Sequence, residues 1–233
     1  MNDMLKNNDT DIQKVIFLSR VQNLAEATIK RAILAGIPPE YQKITESEFR
    51  ELLFDPFFNE RKLSAEKIAK AIFQKTEMMF SKMFILIDGG DAIGLKRSKA
   101  GYAILFKLIT KDFTGKHIQG KSLIHSFNDF AQDRISLINE YKNVDALFIS
   151  EISLQDFRVG SDAGSYFDEL LEYRFSHGLP TILSWSRPIS ALEKSEINDE
   201  RAGRFLLQLY HADAKKNEEL IFKDLKSIRI RVK

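Results

Sequence analysis

The sequence predicts an α/β fold in which a parallel β-sheet is covered by helices on both faces. Three observations predict it. From residue 83 onwards, short and nearly continuous apolar runs alternate with segments of helical period, as expected for strands buried on two sides. The first run, Met83-Phe84-Ile85-Leu86-Ile87, leads into a glycine-rich stretch and then a helical one. A later run, Asp145-Ala146-Leu147-Phe148-Ile149, ends at Ser150-Glu151, an acidic strand end.

Before the sheet, apolar residues at Ile12, Val15, Ile16, Val21, Leu24, Ile29 and Ile33 give a helix over about 10–35, stopped by Gly36 and Pro38-Pro39. Asp55-Pro56 marks a turn, and Ser64 is placed to cap a second helix running to about Phe80. Strands are predicted at 83–87, 122–125, 145–149, 180–184 and 219–232, with helices at about 98–110, 127–141, 165–176 and 198–209. Ser165-Tyr166-Phe167-Asp168 reads as a capping box, and Gly178 before Pro180 closes that helix. The predicted division is an N-terminal helical extension, 1–36, and one α/β domain, 37–233.

Composition narrows the chemistry. The chain has 233 residues and no cysteine, so disulfides and thiolate metal sites are excluded. The four histidines lie without metal-ligand spacing, and no run reaches membrane-spanning length. The expectation is a cytoplasmic protein with no membrane partner. Lys+Arg 35 against Asp+Glu 33 gives a net charge of +2, so contact with nucleic acid would depend on local patches.

The stretch Asp88-Gly89-Gly90-Asp91-Ala92-Ile93-Gly94-Leu95-Lys96-Arg97-Ser98-Lys99 stands where a phosphate-binding loop would stand. Such a loop needs glycines whose N–H groups curl round phosphate oxygens, a lysine for the outer phosphates, a hydroxyl for magnesium and a helix N-terminus. Gly89 and Gly94 have the GxxxxGK[ST] spacing, but Leu95 takes the lysine position and Lys96 comes one residue late, before Arg97 and Ser98. Two readings stay open: a phosphate cradle with a one-residue bulge, or a glycine-rich turn with exposed lysines. The second half of such a site is an acidic strand end. Glu151 stands where the water-orienting acid belongs, while Ser150 replaces the metal-side aspartate. Glu151 reads equally as a solvated strand-end residue.

Several segments together resemble one family. Ala35-Gly36-Ile37-Pro38-Pro39-Glu40-Tyr41 resembles the entry segment of the DnaC/DnaI-like helicase loaders and the related IstB transposition helpers, within the AAA+ ATPases. Residues 141–151 (YKNVDALFISE) look like their Walker B approach, and Tyr166 to Pro188 is similar to their helix and sensor-1 strand. Glu200-Arg201-Ala202-Gly203-Arg204-Phe205-Leu206 resembles the arginine-finger helix, with its arginines one residue closer together.

This resemblance implies an AAA+ / P-loop NTPase-like parallel sheet flanked by helices. It also implies ATP/ADP and Mg2+ as ligands, and self-assembly or binding to a ring-shaped replicative helicase on single-stranded DNA. By position, Gly89, Gly90, Gly94, Lys96, Ser98, Lys99 and Ser150 would face the nucleotide, with Ser98 on the metal. Glu151 would orient water, Ser186 would fill the sensor-1 position, and Arg201 or Arg204 would reach a neighbour's γ-phosphate. The departures at the loop lysine, at Ser150 and at Ser184-Trp185-Ser186 predict slow or absent hydrolysis, because catalytic geometry tolerates only about 0.5 Å.

At the C-terminus, Arg229, Arg231 and Lys233 alternate with apolar residues and would share one strand face. That face either tracks a nucleic-acid backbone or keeps an edge strand from aggregating. Trp185 reads as a base-stacking or a core residue. The function expected is a replication accessory protein of a phage or mobile element, with a weakened nucleotide site. A nucleotide-independent AAA+-like adaptor and an IstB-like transposition ATPase are the alternatives.

Overall fold

The computed structural model describes residues 24–53, 65–74, 84–89, 94–129, 133–157, 161–186 and 227–232. A helix over 24–34 (α1) ends at Gly36, whose φ of +79° is the left-handed stop expected there. A short 3-10 turn, Pro39–Tyr41, leads to α2 (Glu46–Leu52) and α3 (Ala65–Gln74). α2 opens on a capping box in which Thr45 Oγ1 accepts from the Glu48 N–H and Glu48 returns a bond to the Thr45 N–H. Then come β1 (Phe84–Gly89), α4 (Leu95–Ile109), β2 (Gly115–Gln119), α5 (Gly120–Asn128) and α6 (Arg134–Lys142). The described chain finishes with β3 (Ala146–Ile152), α7 (Ala163–Ser176), β4 (Thr181–Trp185) and β5 (Ser227–Val232).

The five strands form one sheet in the order β2-β3-β4-β1-β5, every neighbouring pair parallel. Alternation along the strands feeds two cores. Ile85, Ile87, Phe148 and Ile182 pack with α2, α3 and α4 on one face. Leu86, Leu147, Ile149, Leu183 and Trp185 pack with α5, α6 and α7 on the other. Trp185 is therefore core and offers no face to a base. α4 lies close on the sheet because Gly101 has no side chain: a Cβ there would stand 2.1 Å from the Phe148 ring.

Three predictions are corrected. Residues 122–125 are not a strand but belong to α5, where Leu123, Ile124 and Phe127 form the buried side of a helix. The strand is the preceding GKHIQ, at the sheet edge, and α5 starts on its next residue. The capping box at Ser165 is also absent: α7 begins at Ala163 after Asp162, which makes no side-chain cap bond. The helix predicted at 127–141 starts later, at Arg134, where Asp133 caps it by accepting from the Ser136 N–H. The predicted helix at 198–209, the Asp55-Pro56 turn and the Ser64 cap lie outside the described residues.

The amino ends of β3 and β4 are tied by Arg174 on α7, which is fully buried. Its guanidinium donates to the carbonyls of Tyr141, Val144, Asp145 and Pro180 and to Thr181 Oγ1. Burial pushes its pKa down to about 9, which still leaves it charged at neutral pH. The outer edge of β2 is partly covered as well, since the His117 N–H donates to the Ala35 carbonyl beyond α1. α1 itself buries Ala32, with Ala35 buried just beyond it, while Leu24, Ile29, Ile33 and Leu34 remain exposed.

Candidate functional site

Because β1, β4 and β3 are adjacent and parallel, their carboxyl ends open on one rim, where ligands of open α/β sheets bind. α4 rises from that rim. Gly94 is its N-cap at φ +82°, a conformation that costs a residue with a side chain roughly 1 kcal/mol. From Leu95 the helix is regular, with an ordinary bond from the Ser98 N–H to the Gly94 carbonyl. No bulge between Gly94 and Ser98 restores the lysine to register, and Leu95 and Lys96 are exposed.

The first turn of α4 carries no acid, and Lys96 and Arg97 stand in it with Lys99 just beyond. Cations at a helix N-terminus oppose its dipole, each costing about 0.3–1 kcal/mol. Of these, Lys96 is exposed and Lys99 half-buried, and it is their charge that favours an anion. Lys99 also lies within electrostatic reach of Glu48 on α2, whose carboxyl is held below its ordinary pKa chiefly by its Thr45 hydrogen bonds.

The residue that turns inward is Arg97, fully buried, with Nε donating to the Trp185 carbonyl at 2.9 Å and Nη2 to the Ser186 carbonyl at 3.0 Å. The same Nη2 is 3.2 Å from where a Cβ on Gly94 would be, and Glu151 Oε1 is 3.8 Å from that point. Gly94, Arg97, Glu151 and Ser186 thus converge. Glu151 has φ +55°, the left-handed region that a glutamate enters only under local constraint. It sits within the register shift between β3 and β4, its N–H donates to Ser184 Oγ, and Gln119 Nε2 approaches its Oε2 at 3.5 Å. The Ser186 N–H bonds the Ile152 carbonyl, pinning the end of β4 to β3.

Ser150 points elsewhere. It is buried, and its hydroxyl lies 2.8 Å from Nε2 of His117. Tyr102 and Phe148 box in that imidazole, and burial pushes its pKa down to about 4. Ser98 is also buried. Among the described residues no cluster of three or more histidine, aspartate or glutamate side chains suits a metal ion. The hydroxyls of Ser98 and Ser150 bring no charge, so these donors do not fit a magnesium ion well.

Of the other predicted residues, Gly89 ends β1 in register with Val232. Arg229 and Arg231 stand opposite Leu86 and Asp88 on β5, an edge strand. Gly90, Arg201, Arg204 and Lys233 lie outside the described residues. Arg97 and His117 were not singled out from sequence. The run Lys96-Arg97-Ser98-Lys99 shows cations, but not which of them faces inward.

Compared with solved structures, the chain aligns with DnaA bound to AMPPCP and single-stranded DNA at a TM-score of 0.55. Identity is 12%, over 84% of this chain and 51% of that one. DnaI aligns at 0.52 and 14%, over 84% of this chain and 91% of that one. AMPPCP-bound DnaA from Aquifex aeolicus gives 0.50 and 12%, over 84% and 51%. The chain spans about half the length of the DnaA structures it matches. At these identities the likeness is one of fold, and the chain has an α/β, P-loop NTPase-like fold. No protein-family profile and no curated protein sequence matches it.

Proposed function

We propose that this chain is a DNA-replication accessory protein of the helicase-loader kind. Its AAA+ core holds ATP or ADP weakly through the basic first turn of α4, hydrolyses it slowly or not at all, and acts with a ring helicase on single-stranded DNA. The observation that carries this reading is the gathering of Gly94, the cations of α4 and Glu151 at one sheet rim. Two fold neighbours support it: DnaI, matched over nine-tenths of its length, and DnaA with AMPPCP and single-stranded DNA. In this reading Arg201 or Arg204 reaches a neighbouring subunit. Arg229, Arg231 and Lys233 track the DNA backbone, and the apolar side of α1 meets a protein partner.

One observation favours the second reading, a nucleotide-independent adaptor: Arg97 is already bonded within the site. Titration with a fluorescent ATP analogue up to millimolar concentration, with and without magnesium, separates the two. Saturable binding supports the first reading, and none supports the adaptor. Co-purification with the host's hexameric replicative helicase tests the partner. Failure there together with tight binding to a transposase makes the chain an IstB-like helper.

A further inference from the structure

Arg97 is the unusual group of the site. A guanidinium has five N–H donors in a rigid fork, and taking it out of water costs several kcal/mol unless those donors are bonded. It also stands at the positive end of its own helix, an unfavourable place for a cation. Both penalties are offset here by bonds to two successive carbonyls at the end of β4, Trp185 and Ser186. Those carbonyls lie 88 and 89 residues away in sequence, so the bonds join the first turn of α4 to the carboxyl end of β4. The guanidinium rests against Gly94 on the side where Glu151 also approaches.

We infer that Arg97 is a positioning residue that fastens the first turn of α4 to the end of β4 and competes with nucleotide for the ground beside Gly94. This deepens the proposed function and rests on its reading of the Gly94 turn as a phosphate site. A phosphate arriving at the α4 N-terminus meets a guanidinium already bonded to peptide oxygens and must displace it. Weak nucleotide binding then follows from a built-in cation as well as from the misplaced lysine. The sensor-1 end of β4 stays ordered whether or not nucleotide is present.

The test compares the wild-type chain with Arg97→Ala and Arg97→Lys, using amide hydrogen exchange without nucleotide and fluorescent ADP titration with it. Circular dichroism melting checks that each variant folds. We expect the Ser98 and Ser186 amides to exchange slowly in the wild type. In Arg97→Ala they exchange at least ten-fold faster while the amides of β1 and β3 do not change, and ADP binds about ten-fold tighter. Arg97→Lys, which keeps the charge but cannot span both carbonyls, falls between, and it decides the matter if the alanine variant unfolds. Unchanged exchange at Ser186 overturns the tether. Weaker ADP binding in Arg97→Ala overturns the competition and makes Arg97 a phosphate ligand. Faster Ser186 exchange with no ADP binding by any variant up to millimolar concentration overturns both the competition and the phosphate-site reading, and leaves the tether standing.

Discussion

Nε2 of His117 on β2 and the hydroxyl of Ser150 on β3 lie 2.8 Å apart, so the hydroxyl expected to face a nucleotide is committed to a neighbouring strand. The imidazole beside it is held neutral. Burial lowers its pKa to about 4, whereas an unfolded histidine titrates near 6.5. As pH falls from about 6.5 to about 4, the unfolded chain takes up a proton that the folded chain refuses, and stability drops across that window. Above about 6.5 this group adds no pH dependence. A shift of this size is worth about 3 kcal/mol at most, and partial exposure brings the expected loss to about 2 kcal/mol. Urea midpoints at pH 7, 6, 5 and 4 measure it, and His117→Gln flattens that limb.

Arg174 satisfies four carbonyls and a hydroxyl with one side chain. Arg174→Lys retains the charge but has three donors on a single nitrogen, leaving buried oxygens unbonded at about 1–3 kcal/mol each. A loss of about 3 kcal/mol in urea unfolding is expected. Breaking the exposed Lys70–Glu66 pair with Lys70→Ala leaves the urea midpoint almost unchanged. Equal effects from the two would contradict this ranking.

Gly101→Ala drives a methyl group into the Phe148 ring. Because the ring is fully buried between α4 and the sheet, overpacking of about 2–3 kcal/mol is expected. Adding Phe148→Leu to Gly101→Ala makes room and recovers part of that loss. A double mutant no more stable than Gly101→Ala alone would show that the clash is relieved some other way.

Glu151 combines a strained backbone with the site's acid. Glu151→Gly removes the left-handed penalty and raises stability by about 0.5–1 kcal/mol, read as a higher melting temperature. Glu151→Gln keeps the strain and removes the charge. Since hydrolysis is expected to be slow already, it changes ATP turnover little, and a large fall in a coupled ATPase assay would refute the weak-site reading.

The central strands were legible because β1, β3 and β4 are buried on both faces and read as unbroken apolar runs. β2 was not, because an edge strand is half-buried and GKHIQ holds a single aliphatic residue. Its place is set by partners distant in sequence, among them Ala35, Phe148 and Ser150. The misread run at 122–125 shows the ambiguity of a short apolar stretch, which fits a helix face as well as a strand. At the site, the order of glycine turn, acid and polar strand end could be read along the chain. The inward turn of Arg97 could not, since it depends on carbonyls near residue 185 that no local pattern announces.

β4 runs between two buried guanidiniums, Arg174 at its start and Arg97 at its end, each coordinated by main-chain oxygen much as a crown ether wraps a cation. Such dipolar solvation is indifferent to dissolved electrolyte. Ionic strength should therefore leave the scaffold intact while it attenuates the exposed lysines of the rim. For this molecule, a steep response to added potassium chloride would be a signature of ligand attraction and not of unfolding.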